Sequence, residues 1–320
     1  MRVLVTGGAG YIGSVTTAVL LEAGHAVTVL DDLSTGHRDA VPAAAEFVQA
    51  DIRTAGNVMS RERYDAVVHL AARSLVADSV ADPAAYWQAN VVGSLALADA
   101  ARQHSVPRFV FSSTAAVYGD PTTTPVRETA EARPTNPYGA SKLAVDQLLD
   151  SYARAYGLAA VSLRYFNVAG AHAGLGERHA RESHLIPLIL DVAQGKRDHI
   201  VIHGTDWDTT DGTCVRDYIH VADLARAHLL ALENAAAGKH EIYNLGNGTG
   251  FSVREVIDTA RLVTGRSIPA LEGPRRPGDP AALVASAERA QALLGWRPRH
   301  PELRTIVGDA WAFHTAKDIA

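Results

Sequence analysis

Tyr138 and Lys142 stand four residues apart in the run Tyr138-Gly139-Ala140-Ser141-Lys142, with Thr114 upstream. On a helix, positions i and i+4 share a face, so this spacing sets an ammonium beside a phenol. An opposite charge within a few ångströms lowers a tyrosine pKa from about 10 by roughly 1–3 units. Tyr138 then becomes a general base for a hydroxyl proton, and the Thr114 hydroxyl can share the hydrogen bond to the reacting oxygen. The same pattern also occurs on solvated helix faces, so its chemistry depends on its surroundings.

The elements around the pair read as α/β. Short apolar runs at 3–5, 26–30, 66–70, 109–111 and 161–163 alternate with helical patterns, the longest at 83–104 and 138–156. Nearly unbroken apolar strands argue for a parallel sheet covered on both faces. The expectation is a Rossmann-type doubly wound parallel sheet over residues 1–170, followed by a smaller C-terminal α/β substrate lobe over 171–320, some of whose elements return to the first domain. Polar, glycine-rich stretches at 174–183 and 204–213 read as loops. Helices are expected at 221–236, 253–263, 285–294 and 301–314, a strand at 242–245, and a Pro- and Arg-rich turn at 274–280.

Gly7, Gly10 and Gly13 follow the first strand and open the first helix, enclosing Tyr11 and Ile12. Glycines at this spacing permit a tight turn and let backbone N–H groups reach a pyrophosphate at the positive end of a helix. Asp31 closes the second strand, eighteen residues past Gly13, where a carboxylate accepts from ribose hydroxyls. Asp31 and its neighbour Asp32 would repel a 2′-phosphate, which favours NAD. Asp51 and Ile52 either address the adenine ring or begin a helix that Asp51 caps. Thr114 lies at the C-terminal end of the 109–111 strand, the ligand end of such folds, although Ser-Ser-Thr after a strand is commonly a helix cap.

Bulk composition narrows the class. The chain has 320 residues, 47% hydrophobic and 20% charged, with a net charge of -5, so neither disorder nor a nucleic-acid or anionic-membrane partner is indicated. Cys214 is the single cysteine, no Cys/His spacing matches a metal site, and no run is long enough to span a bilayer. A soluble cytoplasmic protein without a metal is the expectation.

Over nearly its whole length the chain resembles the extended short-chain dehydrogenase/reductase family, and within it enzymes acting at C4 of nucleotide sugars. The resemblance rests on the 7–13 loop, Asn90-Val91-Val92-Gly93, the 112–119 segment, Asn136-Pro137-Tyr138 through Lys142, Leu163-Arg164-Tyr165-Phe166-Asn167, the 211–221 segment and Tyr243-Asn244-Leu245-Gly246. It implies interconversion of UDP-galactose and UDP-glucose: Tyr138 takes the O4 proton, NAD takes hydride from C4, Thr114 shares the O4 contact, and Lys142 holds the nicotinamide ribose. The 4-keto sugar then turns over and is reduced on its other face. By the same resemblance Ser34, Leu70, Ala71, Ala72, Asn90, Tyr165 and Phe166 join the cofactor site. Asn167, His184, Leu185, Val201, His203, Arg216, Arg276 and Asp279 would line the UDP site, where a guanidinium fork suits a diphosphate.

Ala115 and Ala116 stand where related dehydratases and decarboxylases place acidic groups, so elimination lacks its proton carriers. His184 replaces an Asn of some members, and Ser74 replaces a Lys, with Arg73 beside it as a substitute charge. Leu283 falls at the position that gates the sugar C2 substituent, between a Tyr that excludes N-acetyl groups and a small residue that admits them. The resemblance also implies a homodimer through helices 83–104 and 138–156, whose apolar faces could instead pack only on the sheet. Two alternatives stay open: a 4-epimerase of another UDP-sugar, N-acetylhexosamine or uronate, and a non-catalytic NAD-binding sensor.

Overall fold

Strands β1 (Arg2–Thr6), β2 (Ala26–Asp31), β3 (Glu46–Gln49), β4 (Ala66–His69), β5 (Arg108–Ser112) and β6 (Ala159–Tyr165) join His240–Leu245 in one seven-stranded sheet, in the order (His240–Leu245)-β6-β5-β4-β1-β2-β3. Every pairing in it is parallel. Val3 to Val5 and Val67 to Val68 are fully buried, because helices cover both faces, and this explains why the strands read as unbroken apolar runs. Strand order reverses between β1 and β4, where Thr6 pairs with His69, so a ligand crevice opens beyond the carboxyl ends of these strands. The computed structural model describes residues 1–179, 182–276 and 279–316. Pro277 and Gly278 of the expected 274–280 turn lie outside the described residues.

Helix α1 (Tyr11–Glu22) follows the glycine loop, and α2 (Ala55–Met59), α3 (Val76–Ala81), α4 (Pro83–Tyr86) and α5 (Gly93–Gln103) lead to β5. The long helix expected at 83–104 contains a π-helical stretch, Trp87–Val92, which carries the buried Asn90. Such wide turns are rare and concentrate at functional sites. Asn90 shows the reason here: its amide accepts from Arg73 N at 2.8 Å and donates to Arg73 O at 3.0 Å and Ser141 Oγ at 2.9 Å, tying the loop after β4 to the next helix. That helix, α6 (Pro137–Tyr156), starts where the Asn136 side chain accepts from Gly139 N at 2.9 Å and ends at Gly157, whose φ of 75° closes the last turn.

After β6 the chain alternates between two cores. β7 (Asn167–Ala169) pairs with Tyr218–His220. The helices α7 (Leu185–Ala193), α8 (Val221–Asn234), α9 (Val253–Thr264), α10 (Glu288–Leu293) and α11 (Leu303–Ala316) then divide. α7, α9 and α11 enclose a second cluster containing Ile189, Leu190, Ile257 and Ile306, whereas Leu224 and Leu232 of α8 and Ala290 of α10 pack into the core of the large sheet. The strand expected at 242–245 begins at His240 and is the edge strand beside β6. The helix expected at 285–294 starts only at Glu288, because Ala285 bridges to Val126 and donates to Asp217 at 3.1 Å, and Ser286 N donates to Val126 O at 2.8 Å.

One buried polar network joins these layers. The Asp146 carboxylate of α6 accepts from Arg164 Nε at 3.0 Å and Nη2 at 2.9 Å, and from Ser113 Oγ at 3.2 Å. Arg164 Nη1 donates to the Tyr118 hydroxyl at 3.0 Å, and Tyr118 donates to Asn244 Oδ1 at 2.7 Å. Both ionic side chains are about 95% buried or more, at 5% and 3% exposure. Loss of either would strand the other charge in the interior, a cost of about 3–5 kcal/mol.

Candidate active site

Backbone approach at small residues brings the expected trio together. Thr114 follows β5 by two residues and caps the short turn Ala115–Tyr118, its Oγ1 accepting from Ala116 N at 3.1 Å. The cap reading holds, and the site reading is compatible with it, because the Thr114 hydroxyl also lies close enough to the Tyr138 phenol to favour its charged form. α6 can come this close because its second residue after Pro137 is Gly139: a Cβ there would sit 2.4 Å from the Ala116 carbonyl oxygen. Tyr86 meets the Tyr138 ring edge-on at 6.4 Å between centroids and fixes its plane. Lys142, 2% exposed, donates from Nζ to Ser112 O at 2.8 Å and lies 6.0 Å from the Tyr138 ring centroid.

The electrostatics depart from the sequence expectation. Burial pushes the Tyr138 phenol up to about 12 rather than down, and the nearby Thr114 hydroxyl only partly offsets this. The ammonium that was to lower it is itself held down to about 7 by burial, against the pull of Asp146. Lys142 is turned to a main-chain carbonyl, so its charge is spent on β5 instead of on the phenol. Tyr165, whose hydroxyl bonds the Ser112 hydroxyl, is likewise raised by burial.

The glycine loop forms a cradle that fits a pyrophosphate. Gly7 (φ +76°) and Gly13 are closed to any side chain, since a Cβ would lie 2.4 Å from Ala71 N and 2.0 Å from Gly7 O respectively. A Cβ on Gly10 would meet only Gly7 O at 3.4 Å, so this residue faces open space at the start of α1. The helix has neither a side-chain cap nor an acidic residue in its first turn, which leaves N-terminal amides for an anion. Tyr11 donates to Gly170 O at 2.6 Å, pinning the loop to the chain beyond β6, and Ile12 packs into the core.

Asp31 already accepts from Ala9 N at 3.0 Å and Leu33 N at 2.8 Å, so it shapes the loop as well as offering its remaining lone pairs. Asp32 and Ser34 are exposed beside it and joined by Ser34 N to Asp32 Oδ1 at 2.8 Å. Asp51 caps the short helix at Ile52 and is paired with Arg53 at 2.6 Å; Ile52 packs against Gly93. Leu70 and Ala71 follow β4 directly against Thr6 and Gly7, leading into Ala72 and Arg73, the latter exposed. Phe166 packs with Val117, Tyr118 and Leu283.

The residues expected around a UDP moiety fall on elements that follow β6. Asn167 begins β7; Val201 and His203 lie on Ile200–His203, paired with Ala270–Gly273. Arg216 donates to Val215 O and Pro280 O, both at 2.9 Å, stands 3.6 Å from Asp279 and pairs in register with Leu283. Arg276 is exposed, whereas neighbouring Arg275 is occupied by Asp206 at 2.8 Å and by the Trp207 ring. His184 and Leu185 start α7. His184 is held between Glu177 at 2.8 Å and Glu182 at 3.0 Å; burial opposes its charge, but these carboxylates lift it to about 10. Sequence reasoning missed this grouping of Glu177, His179, Glu182 and His184, whose signal is the spacing E-x-H-x2-E-x-H.

Comparison with known proteins agrees with this geometry. A model of the NAD dependent epimerase/dehydratase family matches residues 3–246. The chain is 57% identical to the UDP-glucose 4-epimerase of Corynebacterium glutamicum over 317 residues, 99% of this chain and 96% of that protein. It is 55% identical to the UDP-glucose 4-epimerase of Streptomyces lividans, covering 98% and 96%. The crystal structure of UDP-glucose 4-epimerase from Brucella ovis in complex with NAD superposes with a TM-score of 0.94 at 44% identity, covering 97% of each chain.

The buried lysine gives a pH dependence with a definite sign. Between the folded value of about 7 and the ordinary lysine value near 10.4, the unfolded chain binds a proton that the folded chain has released. Stability of the nucleotide-free chain therefore rises with pH across that window, and the penalty is fully present below it. Lys142→Met should flatten this component. Denaturant unfolding at several pH values checks it: equal slopes for both chains would show that Lys142 carries no such cost.

Proposed function

We propose that this chain, which belongs to the NAD dependent epimerase/dehydratase family, interconverts UDP-galactose and UDP-glucose by inversion at C4. The observation that carries the reading is the Tyr138 phenol beside the Thr114 hydroxyl just past β5, followed by Ala115 and Ala116 in place of carboxylates. A hydroxyl proton can be moved here, but elimination has no acid–base pair. Tyr138 takes the O4 proton as the C4–H bond breaks and the C4 carbonyl forms, with Thr114 holding the oxygen. After the keto sugar presents its other face, hydride returns to C4 and Tyr138 gives the proton back to O4. NAD, when bound, supplies the acceptor and donor of that hydride, and its oxidised ring brings a positive charge that opposes the effect of burial on the phenol. Lys142, anchored at Ser112, is the residue assigned to a ribose hydroxyl, and Gly7, Gly10 and Gly13 are those assigned to the pyrophosphate.

Across the crevice, Arg216 and Arg276 are the guanidinium groups assigned to the UDP diphosphate, with Asn167, His184 and Asp279 around them. Anchoring the nucleotide on the second lobe leaves the sugar free to turn. Leu283, half-buried beside Phe166 and in register with Arg216, is the residue assigned to the C2 gate.

The chain is further assigned a homodimeric state and a cytoplasmic location. The helices expected to pair carry exposed apolar side chains, Tyr156 at 59%, Trp87 at 42%, and Val92 and Leu95 at 41%, and the preceding α3 adds Val80 at 65% and Val76 at 44%. A patch of this kind marks an interaction surface. Among the described residues, no helix is long and apolar enough to cross a membrane.

Three outcomes are expected. Purified protein given UDP-galactose without added NAD forms UDP-glucose, and Tyr138→Phe lowers turnover by at least about two orders of magnitude; no conversion even with NAD supplied would remove the proposed substrate pair. Leu283→Tyr reduces turnover of UDP-N-acetyl sugars more than that of the plain hexoses, whereas equal losses would remove the gate. Light scattering gives twice the 34.0 kDa chain mass, and Val92→Glu with Leu95→Glu shifts it to one chain; a wild-type monomer would refute the assembly.

A further inference from the structure

Residues 170–178, which follow β7, run as a strap beside the glycine loop, and the C4 chemistry uses none of their side chains. The first end of the strap is firmly seated. Gly170, at φ +95°, packs so closely on the buried His220 ring that a Cβ would lie 2.7 Å from it, and its carbonyl accepts from the Tyr11 hydroxyl at 2.6 Å. The middle is seated too: Ala171–His172 pairs antiparallel with Leu175–Gly176, and a Cβ on Gly176 would lie 2.5 Å from the Phe313 ring of α11.

The far end is held by charge. Arg178 Nη1 and Nη2 donate to the two carboxylate oxygens of Asp39, each at 2.9 Å, and the Arg178 carbonyl accepts from His37 Nε2 at 3.1 Å. The turn that carries His37 and Asp39 is in its own right fastened to the glycine loop: His37 N donates to Ala9 O at 2.9 Å, and a Cβ on Gly36 would lie 2.9 Å from the Ala9 side chain. A ring is thereby closed, from Tyr11 to Gly170, along the strap to Arg178, and back through Asp39 and His37 to Ala9. Gly10, Tyr11, Thr35, His37 and Arg178 line one pocket in it, at the uncapped start of α1. Asp31, the carboxylate expected at the ribose, holds Ala9 N at 3.0 Å on the same side.

We infer that the pair of Arg178 and Asp39 is a latch that sets how fast NAD leaves the chain. This rests on the assignment of the pyrophosphate to the Gly7–Gly13 cradle. The pair is the one closure of the ring made between exposed side chains: Asp39 is 71% exposed and Arg178 22%, whereas Gly170 and Gly176 are backed by aromatic rings. Exposed ion pairs open readily and are screened by salt, while two parallel N–H···O bonds hold better than one. Local opening proceeds where such contacts are fewest and most exposed, so the strap parts from the 37–39 turn before it leaves His220 or Phe313. C4 inversion returns its hydride and regenerates NAD in every cycle, so a latch that stays shut does not slow turnover.

The test follows exchange of the bound nucleotide, apart from catalysis. The full chain loaded with NAD is mixed with an excess of isotopically labelled NAD, and the unlabelled nucleotide still held is measured by mass spectrometry after rapid desalting. Asp39→Ala and Arg178→Gln should each speed release roughly three- to tenfold. Added salt should speed release from the wild type more than from either variant, and Asp39→Arg combined with Arg178→Asp should bring the rate back toward that of the wild type. Turnover with NAD in excess should match the wild type throughout. Release at the wild-type rate from both single variants, or no recovery in the exchanged pair, would overturn the latch and leave the cradle standing. A chain that takes up no NAD would overturn both.

Discussion

The buried pair between Asp146 and Arg164 is the constraint on which the rest of the site depends. It joins the middle of α6 to the C-terminal end of β6, and its neighbours Ser113, Tyr118 and Asn244 extend the link to the end of β5 and to the edge strand. An ion pair in such surroundings contributes little net stability over apolar packing of the same shape. Its effect is geometric. With α6 fixed in rotation and in height, Tyr138 has one place to be, one turn above Lys142 and against Thr114.

That placement carries an electrostatic cost. A phenol pushed up to about 12 and an ammonium pushed down to about 7 are both held in the form that is least charged. The protein has desolvated its acid–base pair in advance, so a further charge entering the crevice acts on groups with little water to screen it. The close approach that makes this possible comes from an absent side chain at Gly139, and the rigidity comes from Asn90 in its wide helical turn.

Much of this could be read in the sequence, and the exceptions share a physical character. Unbroken apolar runs identified the parallel sheet because burial on both faces leaves no polar alternation. The glycine spacing identified the cradle because Gly7 and Gly13 admit no Cβ. What escaped were features set by distant partners. His240–Leu245 lies beside β6, a pairing no local pattern encodes. The π turn at Trp87–Val92 is invisible to a helical period of 3.6. The direction of the Tyr138 shift was misjudged because i, i+4 spacing gives proximity along a helix but not burial, and burial dominated. The grouping of Glu177, His179, Glu182 and His184 was overlooked because side chains of an irregular loop follow no period that shows whether they meet.

The chain does not finish one lobe before beginning the other. It leaves the large sheet after β6, returns with α8 and His240–Leu245, leaves again with Phe251–Ser252, comes back at α10 and ends in the second cluster with α11. The part that carries Arg216 and Leu283 is therefore not a contiguous cassette. New specificity cannot be acquired by grafting a foreign domain at one junction, because any single cut separates a strand or helix from the sheet it completes. Change in such an architecture has to proceed by substitution within an interlaced whole.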